Sequence, residues 1–206
     1  MSNKAEKSTR QGLWTTTNDM NILRDNLLDL FCQLAYQEGY FVLSSGQKSS
    51  YYINGKQVTL HPEGALTIGR LLLSLLPTDT EAVAGLTLGA DPIVTSVSVV
   101  SALENRPIPG LIIRKEAKGH GTKAYIEGPS LTPGAKVVVL EDVVTTGQSA
   151  MKAVNRLRDA AYTVDTIISL IDRQQGGAEL YQSQGLNFVV LFDIEEIKQR
   201  YGKLGS

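Results

Sequence analysis

Residues 137–149, VVVLEDVVTTGQS, constrain this chain more than any other stretch. An apolar run meets two adjacent acids, Glu141 and Asp142. A loop of small hydroxyl residues around Gly147 follows, and then an amphipathic segment, AMKAVNRLRDA. The unbroken apolar run reads as a strand buried on both faces, and the segment after the loop as a helix. In an open α/β sheet the ligand crevice lies outside the carboxyl ends of such strands. Thr145, Thr146, Gly147, Gln148 and Ser149 offer backbone N–H groups and hydroxyls at the positive end of the helix, which suits a phosphate. Glu141 and Asp142, closing the strand, would repel a bare anion but suit hydroxyl donors, a metal or developing positive charge. A sugar phosphate satisfies both halves. A plain strand–turn–helix with a solvated acidic turn is the alternative for any one of these residues, less so for the whole run. The stretch has neither the Gly-Lys-Ser/Thr ending of a P-loop nor the GxGxxG of a dinucleotide site.

The rest of the chain repeats this alternation. AVAGLTL, PGLIIRK, VDTIISLID and LNFVVLFD read as further strands, with helices at 61–76 and 91–105, so the expected fold is a mostly parallel, doubly wound α/β sheet. Near the start, NDMNILRDNLLDLFCQLAYQEGY carries a helical stripe of Met20, Leu23, Leu27, Leu30, Phe31 and Leu34, a core or dimer face. Asn18 or Asp19 can cap that helix and Gly39 can end it. FVLSSGQKSSYYING reads as two short strands around a turn at Gly46. Residues 1–17 are polar and read as a mobile tail, with residues 18–206 as a single domain.

Composition excludes several classes. A net charge of −1 gives no general nucleic-acid or membrane surface. No apolar run approaches the ~20 residues of a membrane span, and the polar N-terminus lacks a signal-peptide core. Cys32 is the single cysteine, so no intrachain disulfide forms, which fits a cytoplasmic protein; with two histidines the chain offers no zinc set.

Three further signals surround the loop. RKEAKGHG places Arg114, Lys115, Lys118 and His120 in one glycine-flanked basic loop after a strand. Alone this is a solvated charge run; beside a phosphate site, such a loop can close over a highly charged ligand and bring cations to its phosphates. Arg173 follows the strand VDTIISLID, where a guanidinium can hold a planar carboxylate through two bonds; a surface arginine is the alternative. GLTLGADPI, residues 85–93, is a backbone-donor loop or an ordinary helix start. Tyr51 and Tyr52 alternate, and strand packing accounts for one of them.

VVVLEDVVTTGQS resembles the phosphoribosyl pyrophosphate (PRPP) motif of type I phosphoribosyltransferases, and RKEAKGHG, FVLSSGQKSSYYING and DRQQGG resemble the orotate branch of that family. The resemblance covers residue 18 to the C-terminus. It implies a type I phosphoribosyltransferase fold: a mostly parallel central sheet flanked by helices, with a small N-terminal hood and a flexible catalytic loop at 115–124. The implied activity transfers ribose 5-phosphate from PRPP to orotate, giving orotidine 5′-monophosphate and pyrophosphate in de novo pyrimidine synthesis. The implied PRPP site comprises Arg114, Lys115, Lys118, His120, Glu141, Asp142, Val143, Val144, Thr145, Thr146, Gly147, Gln148 and Ser149. Catalytic roles fall to Lys115, Lys118, His120 and Asp142. Tyr52, Ile53, Thr145 and Arg173 would take orotate. Magnesium is the implied cofactor, held mainly through PRPP. The implied assembly is a homodimer in which Lys115 acts in the other chain's site, with no nucleic-acid or membrane partner. The chain departs from many relatives at Ser44 and from some at Gly89, where those carry lysine. A phosphoribosyltransferase for another base, a PRPP-sensing regulator and a generic sugar-phosphate module are the rivals. Arg173, balanced charge and the basic loop argue against them in turn.

Overall fold

A computed structural model describes residues 14–42, 48–118 and 125–205. The chain enters through α1 (Met20–Leu34) and an antiparallel hairpin of β1 (Tyr36–Val42) and β2 (Lys48–Ile53). A short α2 (Lys56–Thr59) leads to α3 (Pro62–Leu75). The chain continues through β3 (Ala82–Leu86), α4 (Asp91–Leu103), three successive strands β4 (Gly110–Ile113), β5 (Ile126–Glu127) and β6 (Val137–Val144), and then alternately α5 (Gln148–Asp159), β7 (Thr166–Asp172), α6 (Gly177–Ser183), β8 (Asn187–Asp193) and α7 (Ile194–Leu204). The six-stranded sheet runs β5-β4-β3-β6-β7-β8, parallel except for β5 on the edge beside β4.

The expected alternation is present, and its cause is visible in the burial. All residues of β3 and β7 are buried, as a strand covered on both faces requires. Side chains alternate along β6. Val138 and Leu140 join the core that contains Leu27, Phe31, Ile68 and Val97, while Val137 and Val139 join the core with Val154, Leu157 and Tyr181 on the other face. Each fully buried Leu or Ile here contributes about 1.5–3 kcal/mol. In α5, Ala150, Met151, Ala153, Val154 and Leu157 face inward at helical spacing, and Arg156 and Arg158 occupy the last turn, where the helix dipole favours cations.

Two boundaries differ from the sequence expectation. The first helix ends at Leu34, and Gly39 lies inside β1. Pairing wins over helical periodicity there: Tyr36 lies opposite Ile53, the Tyr36 and Tyr51 rings stack at 5.9 Å, and the Asn54 N–H donates to the Ala35 carbonyl at 2.9 Å. Met20 and Leu34, counted in the apolar stripe, are each 39% exposed, whereas Leu23, Leu27, Leu30 and Phe31 are buried. The tail is anchored earlier than residue 18. Trp14–Thr16 form a 3₁₀ turn, and Arg70 donates to the Thr15 and Thr17 carbonyls (3.1 and 2.6 Å) and to Asn18 Oδ1 (2.6 Å). Residues 1–13, and Ser44 and Gly46 of the expected turn, lie outside the described residues.

The hairpin reaches the carboxyl end of the sheet. Tyr51 touches Arg173 after β7, and Gly55 packs against Asp142 and Val143 of β6. The hairpin therefore covers the crevice that the parallel strands leave open.

Candidate active site

Gly147 turns the chain from β6 into α5. Its φ of +79° is left-handed, and a Cβ there would meet the Tyr181 ring at 2.8 Å, so both backbone and space call for glycine. The loop and the first turn of α5 line a cavity of about 90 Å³ with Glu141, Val143, Val144 and Tyr181. α5 begins at this cavity, and the first N–H groups of a helix have no intrahelical partner, which is what an anion site needs. Thr145, Thr146, Gly147, Gln148 and Ser149 are thus brought together as the sequence implied. Gly177 holds α6 close beneath them; a Cβ on it would lie 2.3 Å from Val144.

The two acids do not close the strand. β6 continues to Val144, with Val143 opposite Ile171 and Val144 opposite Asp172, because β7 offers partners that far. Glu141 and Asp142 therefore have different surroundings. Glu141 is buried on the loop side with Oε2 unpartnered. Burial, and then the neighbouring Asp142 charge, hold its carboxyl well above the usual range. Asp142 lies on the hood side, its Oδ1 accepting from the Val143 N–H at 2.8 Å. A Cβ on Gly89 would fall 2.7 Å from the Asp142 carboxylate. The 85–93 loop thus needs a glycine at 89 to approach the acid, which gives a physical context for the missing lysine. Thr87 Oγ1 donates to Asp91 Oδ2 at 2.7 Å, bracing the start of α4.

Arg173 stands at the end of β7 with its backbone N–H bonded to the Val144 carbonyl at 2.9 Å. Its Nε donates to the Tyr51 hydroxyl at 3.0 Å, and its guanidinium carbon lies 4.8 Å from that ring's centre. Its Nη2 is buried and has no partner. A buried charged donor left open costs free energy, so this nitrogen is placed for an incoming acceptor. Of the two tyrosines, Tyr51 is the packed one, stacked on Tyr36 and holding Arg173. Tyr52 is 42% exposed, 5.6 Å from the Phe41 ring, and Ile53 packs against the core. The sequence reading missed Tyr51 as a holder of Arg173; its alternation with Tyr52 was the available signal.

The basic residues leave β4 at the same sheet edge. Arg114 and Lys118 converge on Glu127 Oε1 at 3.1 and 3.7 Å. Arg156 of α5 bridges the flanks of this segment. It donates to the Arg114 carbonyl and, at 2.9 Å, to the Lys115 carbonyl, and its guanidinium lies 4.0 Å from the Tyr125 ring centre. Sequence reasoning missed Arg156, which looked like an ordinary cation in the last turn of a helix. His120 lies outside the described residues.

No protein-family model matches the chain. An orotate phosphoribosyltransferase of Nostoc sp. is 73% identical over 206 residues, the whole of both chains. The orotate phosphoribosyltransferase of Mycobacterium tuberculosis H37Rv, solved with Fe(III) dicitrate, superposes with a TM-score of 0.76 at 36% identity, covering 85% of this chain and 98% of that one. The same enzyme solved with PRPP gives 0.72 at 33% identity, covering 85% and 99%. A small cavity under the loop at a strand end, paired acids beside it and an arginine with an unpartnered buried nitrogen agree with that kinship, and the chain belongs to the orotate phosphoribosyltransferases, with the type I phosphoribosyltransferase fold.

Proposed function

We infer that the protein transfers the ribose 5-phosphate of PRPP to orotate, releasing pyrophosphate and forming orotidine 5′-monophosphate for pyrimidine synthesis. The observation that carries the choice of base is the buried, unpartnered Nη2 of Arg173 beside the phosphate loop. Orotate carries a carboxylate to meet it; uracil, hypoxanthine and adenine do not.

In this reading residues 145–149 hold the 5-phosphate, with Val143 and Val144 shaping the approach. Glu141 and Asp142 face the ribose from the loop side and the hood side, accept its hydroxyls and favour the positive charge that develops at C1 as pyrophosphate departs. Arg173 and Thr145, with Tyr52 and Ile53 nearby, orient orotate so that its ring nitrogen attacks C1. Arg114, Lys115, Lys118 and His120 neutralise the leaving group. No covalent nucleophile is required; positioning and charge stabilisation supply the acceleration. Further neutralisation of the pyrophosphate would come from a bound magnesium ion. Among the described residues no cluster of three or more His, Cys, Asp or Glu is arranged for a metal. Such an ion would be held mainly through PRPP, with Asp142 as the nearby protein carboxylate.

The functional unit we propose is a homodimer of one-domain chains, residues 18–206, each lending its 115–124 loop to the other site. The face that suits the pairing is apolar and exposed: Leu60, Leu88, Val99 and Leu103 are 68, 64, 57 and 72% exposed around grooves beside α3 and α4. Leu88 adjoins Gly89, which abuts Asp142, so a second copy seated there lies next to the site. A cytoplasmic setting goes with a free, buried Cys32 whose thiol burial pushes up to about 11. The direct test follows loss of orotate absorbance with PRPP and magnesium. Turnover is expected with orotate and none with uracil or hypoxanthine; the reverse preference would refute the assignment of the base.

A further inference from the structure

Among the described residues Tyr181 is the largest fully buried side chain, and its hydroxyl has no hydrogen-bond partner there. Ordinarily a buried hydroxyl finds one. The ring is fixed on both sides. It packs edge-on against Phe188 at 5.0 Å, and its Oη stands 3.1 Å from where a Gly147 Cβ would be. The hydroxyl therefore cannot swing away to find a partner elsewhere. Tyr181 lines the loop cavity together with residues 145–149 and Glu141, whose Oε2 is also unpartnered, so the hydroxyl and that oxygen do not satisfy one another. At about 90 Å³ the cavity is several times what a single water needs, about 10–15 Å³ on the same measure.

We propose that Tyr181 is a binding residue of the phosphate loop, its hydroxyl donating to an oxygen of the 5-phosphate of PRPP from the Gly147 side. This rests on the reading of residues 145–149 as the 5-phosphate cradle. A neutral donor suits the position: it supplies a hydrogen bond to the anion without the cost of burying a second charge. Burial also keeps the phenol protonated, its pKa raised well above the ordinary tyrosine value. The arrangement places the tyrosine in α6, one helical turn past the DRQQGG motif. The pair Gly176-Gly177 brings α6 against the loop, and Tyr181 follows one helical turn later on the same face.

The test uses Tyr181→Phe in the full chain, which keeps the ring and removes only the hydroxyl. Equilibrium binding is measured for ribose 5-phosphate and, separately, for pyrophosphate, alongside the melting temperature. A hydrogen bond to a charged acceptor corresponds to roughly tenfold or more in affinity. The expected result is a Kd for ribose 5-phosphate raised about tenfold, a Kd for pyrophosphate within about twofold and an unreduced melting temperature. Unchanged ribose 5-phosphate affinity would mean that the hydroxyl serves only a buried water, and would overturn the proposal. Equal weakening of both ligands with a lowered melting temperature would mean a packing role, and would overturn it too. If the wild-type chain failed to bind ribose 5-phosphate, the cradle itself would be lost; unchanged affinity against a binding wild type removes the tyrosine alone.

Discussion

Arg156 gives the most demanding prediction. Its guanidinium joins the carbonyls of Arg114 and Lys115 and stacks on Tyr125, so one side chain ties the entry of the basic loop to its exit. A hydrogen bond from a charged donor is worth about 1.5–3 kcal/mol when well buried, and a cation–π contact about 0.5–1 kcal/mol at an exposed site. The bond to Lys115 is exposed and deserves a low value. A net effect of about 2 kcal/mol on the anchored arrangement follows, which corresponds to roughly 30-fold in rate if Lys115 must be held for the chemical step. Arg156→Ala is therefore expected to lower kcat about 30-fold with the KM for orotate within about twofold. Arg156→Lys should recover little, because a point charge can neither bridge both carbonyls nor stack. The defect should also travel with the loop. Mixing Arg156→Ala chains with Asp142→Asn chains should restore activity at the sites that combine an intact Asp142 with an intact loop. Steady-state kinetics of the variants and of the mixture decide the matter. Wild-type kcat in Arg156→Ala would refute the anchoring role, and an impaired Arg156→Ala that no mixture rescues would refute sharing of the loop.

Two more predictions concern the charged groups at the strand ends. Arg173→Lys should raise the KM for orotate by about tenfold or more and leave the KM for PRPP unchanged, since lysine cannot present two parallel donors to a carboxylate while bonding Tyr51. Equal effects on both substrates would count against the carboxylate role. Glu141 has a raised folded-state pKa, so the native state binds protons more tightly than the unfolded chain. Its burial then costs nothing below the unfolded value near 4.5 and destabilises the protein as pH rises toward its folded pKa. Glu141→Gln should match the wild type in melting temperature near pH 4 and exceed it near pH 8, by about 2–4 °C per kcal/mol. A difference independent of pH would contradict the buried, raised carboxyl.

Local chemistry made much of the molecule legible in the sequence. The apolar runs at 82–86, 137–140 and 166–171 could only be strands covered on both faces, and the phosphate loop is a continuous peptide whose function depends on its own N–H groups and Gly147. The same holds for Arg173, one residue past a strand. Alternation along β2 announced one packed tyrosine without saying which; contact with Tyr36 and Arg173 decided it. Where two local preferences competed, the tertiary structure chose. Residues 35–39 carry a helical pattern, but the hairpin with β2 takes them because paired backbone and stacked rings outweigh an extra helical turn. The different surroundings of Glu141 and Asp142 arise from the β6–β7 pairing continuing past them. Arg156 and Tyr181 carry no motif at all. Each acts across a gap in sequence, Arg156 on a loop about forty residues before it and Tyr181 on one about thirty residues before it. The sequence alone determined the loop proposed as the phosphate cradle and the sheet that presents it, because both are written in neighbouring residues. Only the packing of α5 and α6 against the sheet could decide which distant side chains lie against the loops, because that depends on the order of strands in space.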